Sequence, residues 1–384
     1  MDFINLLCSA WPEGNFWASI IKIFDFMGSY TWTIIIFTIA LKLVLSPMDF
    51  LQRFFTNKTT RAQAKLQPQI EKLKKLYGQN QTLLYQKQNE LYQRSGVNTK
   101  SSCIVMLVYM ALTLTIFMTL YSSMQSIASF KIKAQYQDLQ QTYYTSYNSE
   151  YLSDYLEIDL EGEDYINADD KDVYIALMET TKANSLVTEE LTLEEATALV
   201  AEYKATCAGT AEDLVFEQYV EIKDGFFWIK NIWRADKLSI NAILTYDDFK
   251  SYDATVSEAS YNAVMNKLLI DETGVNGANG YYILSVIVLV VTFLSQWLTK
   301  KLTQVRNKGT APQKQGGAMK MLMYILPVTM VIFTLNSSAI FAIYIIVNSI
   351  MSTLLTPLST LISNKIEDKK ELKNLEKIKV DYRR

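Results

Sequence analysis

Long apolar runs separated by polar stretches dominate the pattern of this chain. The runs lie at 30–45, 103–127, 281–298, 321–335 and 340–362. A helix needs about 17–25 apolar residues to cross roughly 30 Å of hydrocarbon. Lipid also obliges every backbone polar group to be satisfied internally. The pattern predicts an all-α membrane protein with five transmembrane helices, placed at 30–48, 103–127, 281–298, 321–335 and 338–362. Pro47 is expected to end the first of them, because proline breaks the hydrogen-bond ladder of a helix interior.

The polar stretches have their own periodicities. In 1–29, Phe16, Trp17, Ile20, Ile21, Phe24 and Met27 form one helical stripe with Asn15, Ser19 and Lys22 opposite. That reads as an interfacial amphipathic helix bending at Gly28-Ser29, or as the start of a longer slanted span. In 49–102, Leu66, Ile70, Leu73 and Tyr77 match a return stripe of Leu83, Leu84, Gln88 and Leu91 across a Gly78-Gln79-Asn80 turn. The expected element is a helical hairpin with a thin apolar seam. In 128–280 the pattern is mostly helical, with a capping box Thr192-Leu193-Glu194-Glu195 opening a helix to about Lys204 and Ser257 capping another through Leu269. Gly274–Gly280 reads as a flexible link back to the membrane, Gly309–Gly317 as a linker, and Asn336-Ser337-Ser338 as a turn between the last two spans. No internal repeat is present, which argues against a transporter built from inverted halves.

Charge orients these elements. Residues 52–102 hold ten Lys/Arg against two acids, 299–320 hold six and none, and the tail 363–384 holds eight against five. Residues 128–280 hold eleven against 29. Basic loops stay cytoplasmic. The expected layout is therefore a cytosolic hairpin at 49–102, an acidic extracellular domain at 128–280, a basic cytosolic loop at 299–320 and a basic cytosolic tail at 363–384. The N-terminus is then outside and the C-terminus cytoplasmic.

Candidate chemistry is sparse. There is no His, which removes the usual catalytic triads and most zinc sites, and the three Cys are too dispersed for an internal disulfide. Cys8 lacks the preceding basic and apolar segments of a lipidated signal peptide. Asp169-Asp170-Lys171-Asp172 lacks the spacing and glycine of a calcium loop. The spans carry no paired aspartates of the kind an intramembrane protease needs. No catalytic residue, metal site, cofactor or nucleic-acid sequence recognition is read. What stands out is Lys42, a basic residue inside the first apolar run, where charge is costly. It lies about three residues, or roughly 5 Å, from the end of that run. Two accounts stand: the ammonium snorkels to the inner headgroups, or it lines a polar recess with Gln296, Asn348, Tyr109 and Thr113. The lysines of the hairpin (Lys65, Lys72, Lys74 and Lys75) likewise read either as a solvated face near anionic lipid or as a docking surface.

Several stretches together resemble the YidC/Oxa-type membrane protein insertases. They are Ile39-Ala40-Leu41-Lys42-Leu43-Val44-Leu45-Ser46-Pro47, Ala64-Lys65-Leu66-Gln67-Pro68-Gln69-Ile70, Glu90 through Asn98, Phe226-Phe227-Trp228-Ile229-Lys230-Asn231-Ile232, and Met321 through Pro327. The resemblance implies a five-helix core around a hydrophilic groove open to the cytoplasm and closed outside. One basic residue there, at the position of Lys42, draws in acidic parts of a substrate. It also implies nascent membrane proteins as substrates, a place in the bacterial cell membrane, and dealings with ribosomes, targeting factors and the Sec translocon. This chain departs from the family pattern with Lys for Arg at 42, Tyr109 for Gln, Ile345 for Trp and no prolines in the second span. A membrane scaffold or transporter subunit with a ligand-binding extracellular domain is the competing reading.

Overall fold

The computed structural model describes residues 11–94, 99–168, 170–188, 190–270, 274–306 and 317–381. Within these, the side chains of 56–65, 99–103, 106, 299–300, 302–306, 317–324, 326, 364, 367–368 and 370–381 lie outside the description. Cys8, Asp169, the linker before Gly317 and the side chain of Lys65 are therefore outside the described residues. Among the described residues the secondary structure is helical, with two isolated β-bridges. The chain divides into two compact units: Gly14–Gln125 with Tyr282–Arg384, and Met1–Glu13 with Ser126–Tyr281.

The first unit is built from long apolar helices. Asn15 caps α1 (Phe16–Lys22), its side chain accepting from the Ala18 amide at 3.1 Å. Gly28 then adopts φ +67°, which only glycine takes readily, and α2 (Tyr30–Tyr77) begins. The expected single stripe on α1 is split: Ala18 and Ile21 are buried, and Trp17 and Phe24 meet the Phe37 ring edge-on. Phe16, Ile23 and Phe26 are exposed. Nor is Asn15 a solvated residue opposite the stripe, because its side chain also accepts from the Ser123 hydroxyl.

The expected helix end at Pro47 does not occur. Helix α2 runs unbroken through Pro47 and Pro68 to Tyr77. A proline interior to a helix sacrifices one backbone bond and crowds the carbonyl four residues back. Helices in membrane proteins tolerate this where the freed groups find other partners. The hairpin is thus the direct continuation of the first span. Asn80 caps its return helix α3 (Gln81–Arg94) by accepting from the Leu83 amide at 3.1 Å. The seam is as the periodicity predicts: Leu66 and Ile70 are buried, and Leu73, Tyr77, Leu83, Leu84 and Leu91 are half-buried.

Helix α4 (Thr99–Tyr147) contributes its residues up to Gln125 to this unit. With α8 (Ile283–Arg306), α9 (Gly317–Leu335) and α10 (Ala339–Asp381) it completes the set. Helix α10 packs on α2 and α8, and α8 on α9. Half-buried Phe117 and Tyr121 of α4 meet Phe333 and Phe341 ring to ring. The tail expected after 362 is not a separate segment, since α10 continues through Pro357 to Asp381. Outside this core, Val44, Leu107, Val290, Leu294, Ile332 and Leu354 are more than half exposed. Such a belt is unfavourable against water at about 25 cal/mol per Å² and is matched by hydrocarbon. Among the described residues, Tyr30–Phe55, Leu107–Tyr155 and Ala339–Ser363 are long and apolar enough to cross a membrane, and Ile283–Leu298 is a shorter apolar helix.

In the second unit, α4 continues from Ser126 and passes into a π-helical turn, Asn148–Tyr155. Tyrosines four apart, at 143, 147, 151 and 155, stack along it and end on Tyr203. Helix α5 (Lys171–Leu186) follows, and α6 (Leu193–Ile222) opens with the expected capping box. This helix runs to Ile222 rather than Lys204, because Val200, Cys207, Ala211, Val215 and Tyr219 continue one buried face. Ser257 caps α7 (Glu258–Leu269) as expected.

The flexible link expected at Gly274–Gly280 is a hydrogen-bonded strap. The Ala242 amide donates to Gly277 O, and the Asn279 amide to Ile240 O, both at 2.8 Å. Asn279, fully buried, bonds the backbone of Asn231 and Ala235. A Cβ on Gly280 would lie 1.9 Å from Asp236 Oδ1. Here Gly and Asn serve close approach and backbone pairing rather than freedom.

Candidate functional site

The uninterrupted α2 sets the site. Because the helix passes through Pro47, Asp49 lies seven residues after Lys42, two turns less about 20° of rotation, and shares its face. The Lys42 ammonium meets Asp49 Oδ2 at 2.7 Å across the proline, with the two side chains only 11% and 14% exposed. From α4, the Tyr109 hydroxyl donates to Asp49 Oδ1 at 2.5 Å. Both carboxylate oxygens are therefore engaged. One turn further along α2 stands half-buried Arg53, four residues after Asp49 and so on a neighbouring part of the same helix face.

An isolated buried ammonium costs several kcal/mol in lost hydration. Asp49 offsets that cost, and Tyr109 ties the pair to a second helix. Lys42 is therefore not the unpaired charge that the sequence pattern suggests. Two cations, one carboxylate and one phenol make a polar cluster of net charge +1 among apolar helices.

The other expected members are placed differently. The Thr113 hydroxyl donates to its own helix, to Tyr109 O at 2.8 Å and Met110 O at 3.1 Å. Gln296 and Asn348 are half-buried on α8 and α10. The contacts described above join only Lys42 and Tyr109 of the five, through Asp49. Asp49 and Arg53 were missed by sequence reasoning. The available signal was that Asp49 is the sole acid between Asp25 and Glu71, at helical register with Lys42. Ending the helix at Pro47 concealed that register. On the hairpin, Lys72, Lys74 and Lys75 are exposed. Among the described residues no group of three or more His, Cys, Asp or Glu is placed to hold a metal ion.

The profile of the 60Kd inner membrane protein family matches residues 22–194 and 214–369, most of the chain. The chain belongs to this family, the YidC/Oxa type. Similar curated proteins include the membrane protein insertase YidC of Fusobacterium nucleatum, 33% identical over 97 residues, which are 25% of this chain and 45% of that protein. The YidC of Thermotoga maritima is 36% identical over 102 residues, 26% of this chain and 20% of its own. That of Parabacteroides distasonis is 33% identical over 112 residues, 28% and 17% respectively. The chain thus spans less than half the length of these curated relatives. No solved structure matches it significantly. As a YidC/Oxa family member with long apolar helices, it is a membrane protein.

Proposed function

We propose that this chain is a membrane protein insertase and chaperone, without covalent chemistry. It takes transmembrane segments and acidic translocated segments of nascent proteins into a cytoplasm-open hydrophilic groove and releases them to lipid. The observation that carries this reading is the net-positive cluster at Lys42, built within apolar helices of a YidC/Oxa family member. Burying an acidic residue on its way outward costs less beside such a charge. The apolar part of the substrate leaves by hydrophobic burial along the exposed faces of α8 and α10.

The accompanying topology is five spans with the N-terminus outside and the C-terminus cytoplasmic, which puts the basic hairpin inside and the acidic unit outside. Gln296, Asn348 and Thr113 line the groove with Lys42 and Tyr109. The hairpin, through Lys65, Lys72, Lys74 and Lys75, meets ribosomes, targeting factors or the translocon.

Insertion of a substrate with an acidic outward segment into proteoliposomes tests the reading. Lys42→Arg should support it, since the charge is kept. Lys42→Asp combined with Asp49→Lys keeps the ion pair but moves the cation two turns, about 10 Å of helix rise, and should abolish insertion. Full insertion by that folded double variant would remove the position of the Lys42 charge from the mechanism, and a wild-type chain that inserts no such substrate would leave the scaffold or transporter-subunit reading in its place.

A further inference from the structure

Asp49 is more than a neutraliser of Lys42. Lys42, Asp49 and Arg53 occupy one continuous helix, with Asp49 seven residues after one cation and four before the other. Seven residues are two turns less about 20°, and four are one turn plus about 40°, so both cations lie within reach of the same carboxylate. The cluster carries two positive charges and one negative, which leaves room for one further acid. The pair is also not sealed, as each partner keeps a little exposure (11% and 14%).

We propose that Asp49 is a built-in surrogate for the substrate's carboxylate: it holds Lys42 between substrates and passes to Arg53 when an acidic residue of the substrate takes Lys42. The inference rests on the insertase reading and specifies how its groove selects. An open Lys42 awaiting substrate would be a buried ammonium with no partner, which is strongly unfavourable. Exchanging one carboxylate for another keeps Lys42 paired, and Arg53 keeps Asp49 paired. Tyr109, from α4, holds Asp49 by its other oxygen and sets how readily it departs. Substrate acids are then selected against an internal competitor, so neutral or weakly acidic segments gain nothing at this site.

The test uses the full chain in proteoliposomes and two substrates that differ only by Asp or Asn in the outward segment. The readout is the ratio of their insertion rates. Asp49→Asn removes the competitor and should raise the acidic-to-neutral ratio by about tenfold, equivalent to about 1.4 kcal/mol. Tyr109→Phe leaves the ion pair and loosens Asp49, so the ratio should rise by less. Arg53→Gln removes the second berth, and the ratio should fall. Carbodiimide coupling supplies a readout independent of rate. The 2.7 Å Lys42–Asp49 pair should give an intrachain amide link that declines when a stalled acidic substrate is bound, while a Lys42–substrate link appears. Unchanged ratios in Asp49→Asn and Tyr109→Phe, or an intrachain link that persists during insertion, would overturn the exchange while leaving the insertase reading intact. A wild-type chain that inserts neither substrate would overturn both.

Discussion

Replacing Asn279 by Ala gives the sharpest structural test, because it separates a pinned strap from a flexible link. The Asn279 side chain is fully buried. It accepts from the Asn231 amide at 2.8 Å and donates to Asn231 O at 2.9 Å and Ala235 O at 3.0 Å. Truncation removes those three bonds and leaves two buried backbone groups of Asn231 and one part-buried carbonyl of Ala235 without them. At about 1 kcal/mol net per bond the loss is about 3 kcal/mol, which corresponds to roughly 100-fold in a local opening equilibrium. Hydrogen–deuterium exchange of the full chain in nanodiscs reads this directly. The amides of Asn231 and Ala242 should lose about two decades of protection, the second because its acceptor, Gly277 O, sits in the strap. Asn279→Asp should be at least as damaging, since a carboxylate keeps the acceptor but faces two carbonyls. Protection unchanged within about threefold (under 1 kcal/mol) would mean that 274–280 is a solvated linker and that the buried geometry contributes nothing.

Other outcomes follow from the same structure. Moving Lys72, Lys74 and Lys75 to other exposed hairpin positions keeps total charge but destroys register. Insertion should fall if the hairpin docks a partner, and equal insertion would leave only attraction to anionic lipid, which salt screens. Cys207 is fully buried, and desolvation pushes its thiol up, so iodoacetamide should label it only after denaturation. Rapid labelling of the folded chain would refute its burial. The Thr255 hydroxyl and amide, then Lys133, hold the Asp253 carboxyl below its ordinary range. Its folded value is depressed, so its stabilisation is present above about pH 3.9 and is lost as pH falls through the folded value. Asp253→Asn should flatten that acid limb in a melting series that follows the second unit, and an unaltered limb would exclude Asp253 as its source.

Periodicity and punctuation alone were enough for the all-α class, the apolar helices, the hairpin seam, and the caps at Thr192 and Ser257. Each depends on local rules: which residues recur every third or fourth position, and which side chain can satisfy the free amides of a first turn. The resemblance to the YidC/Oxa family was likewise legible, and the family profile bears it out. Three features were decided only by tertiary structure. Pro47 reads locally as a stop, yet the helix, packed against α10, continues through it to Tyr77. Gly274–Gly280 reads as freedom, yet the partners that pin it lie some forty residues earlier in the chain. Lys42 reads as a lone charge, yet it is paired across the proline with Asp49, which is tied to Tyr109 sixty residues further along the sequence. Local propensity is set within a turn or two of chain. Whether a proline, a glycine or a charge is tolerated depends on partners that only the folded chain brings within hydrogen-bonding distance.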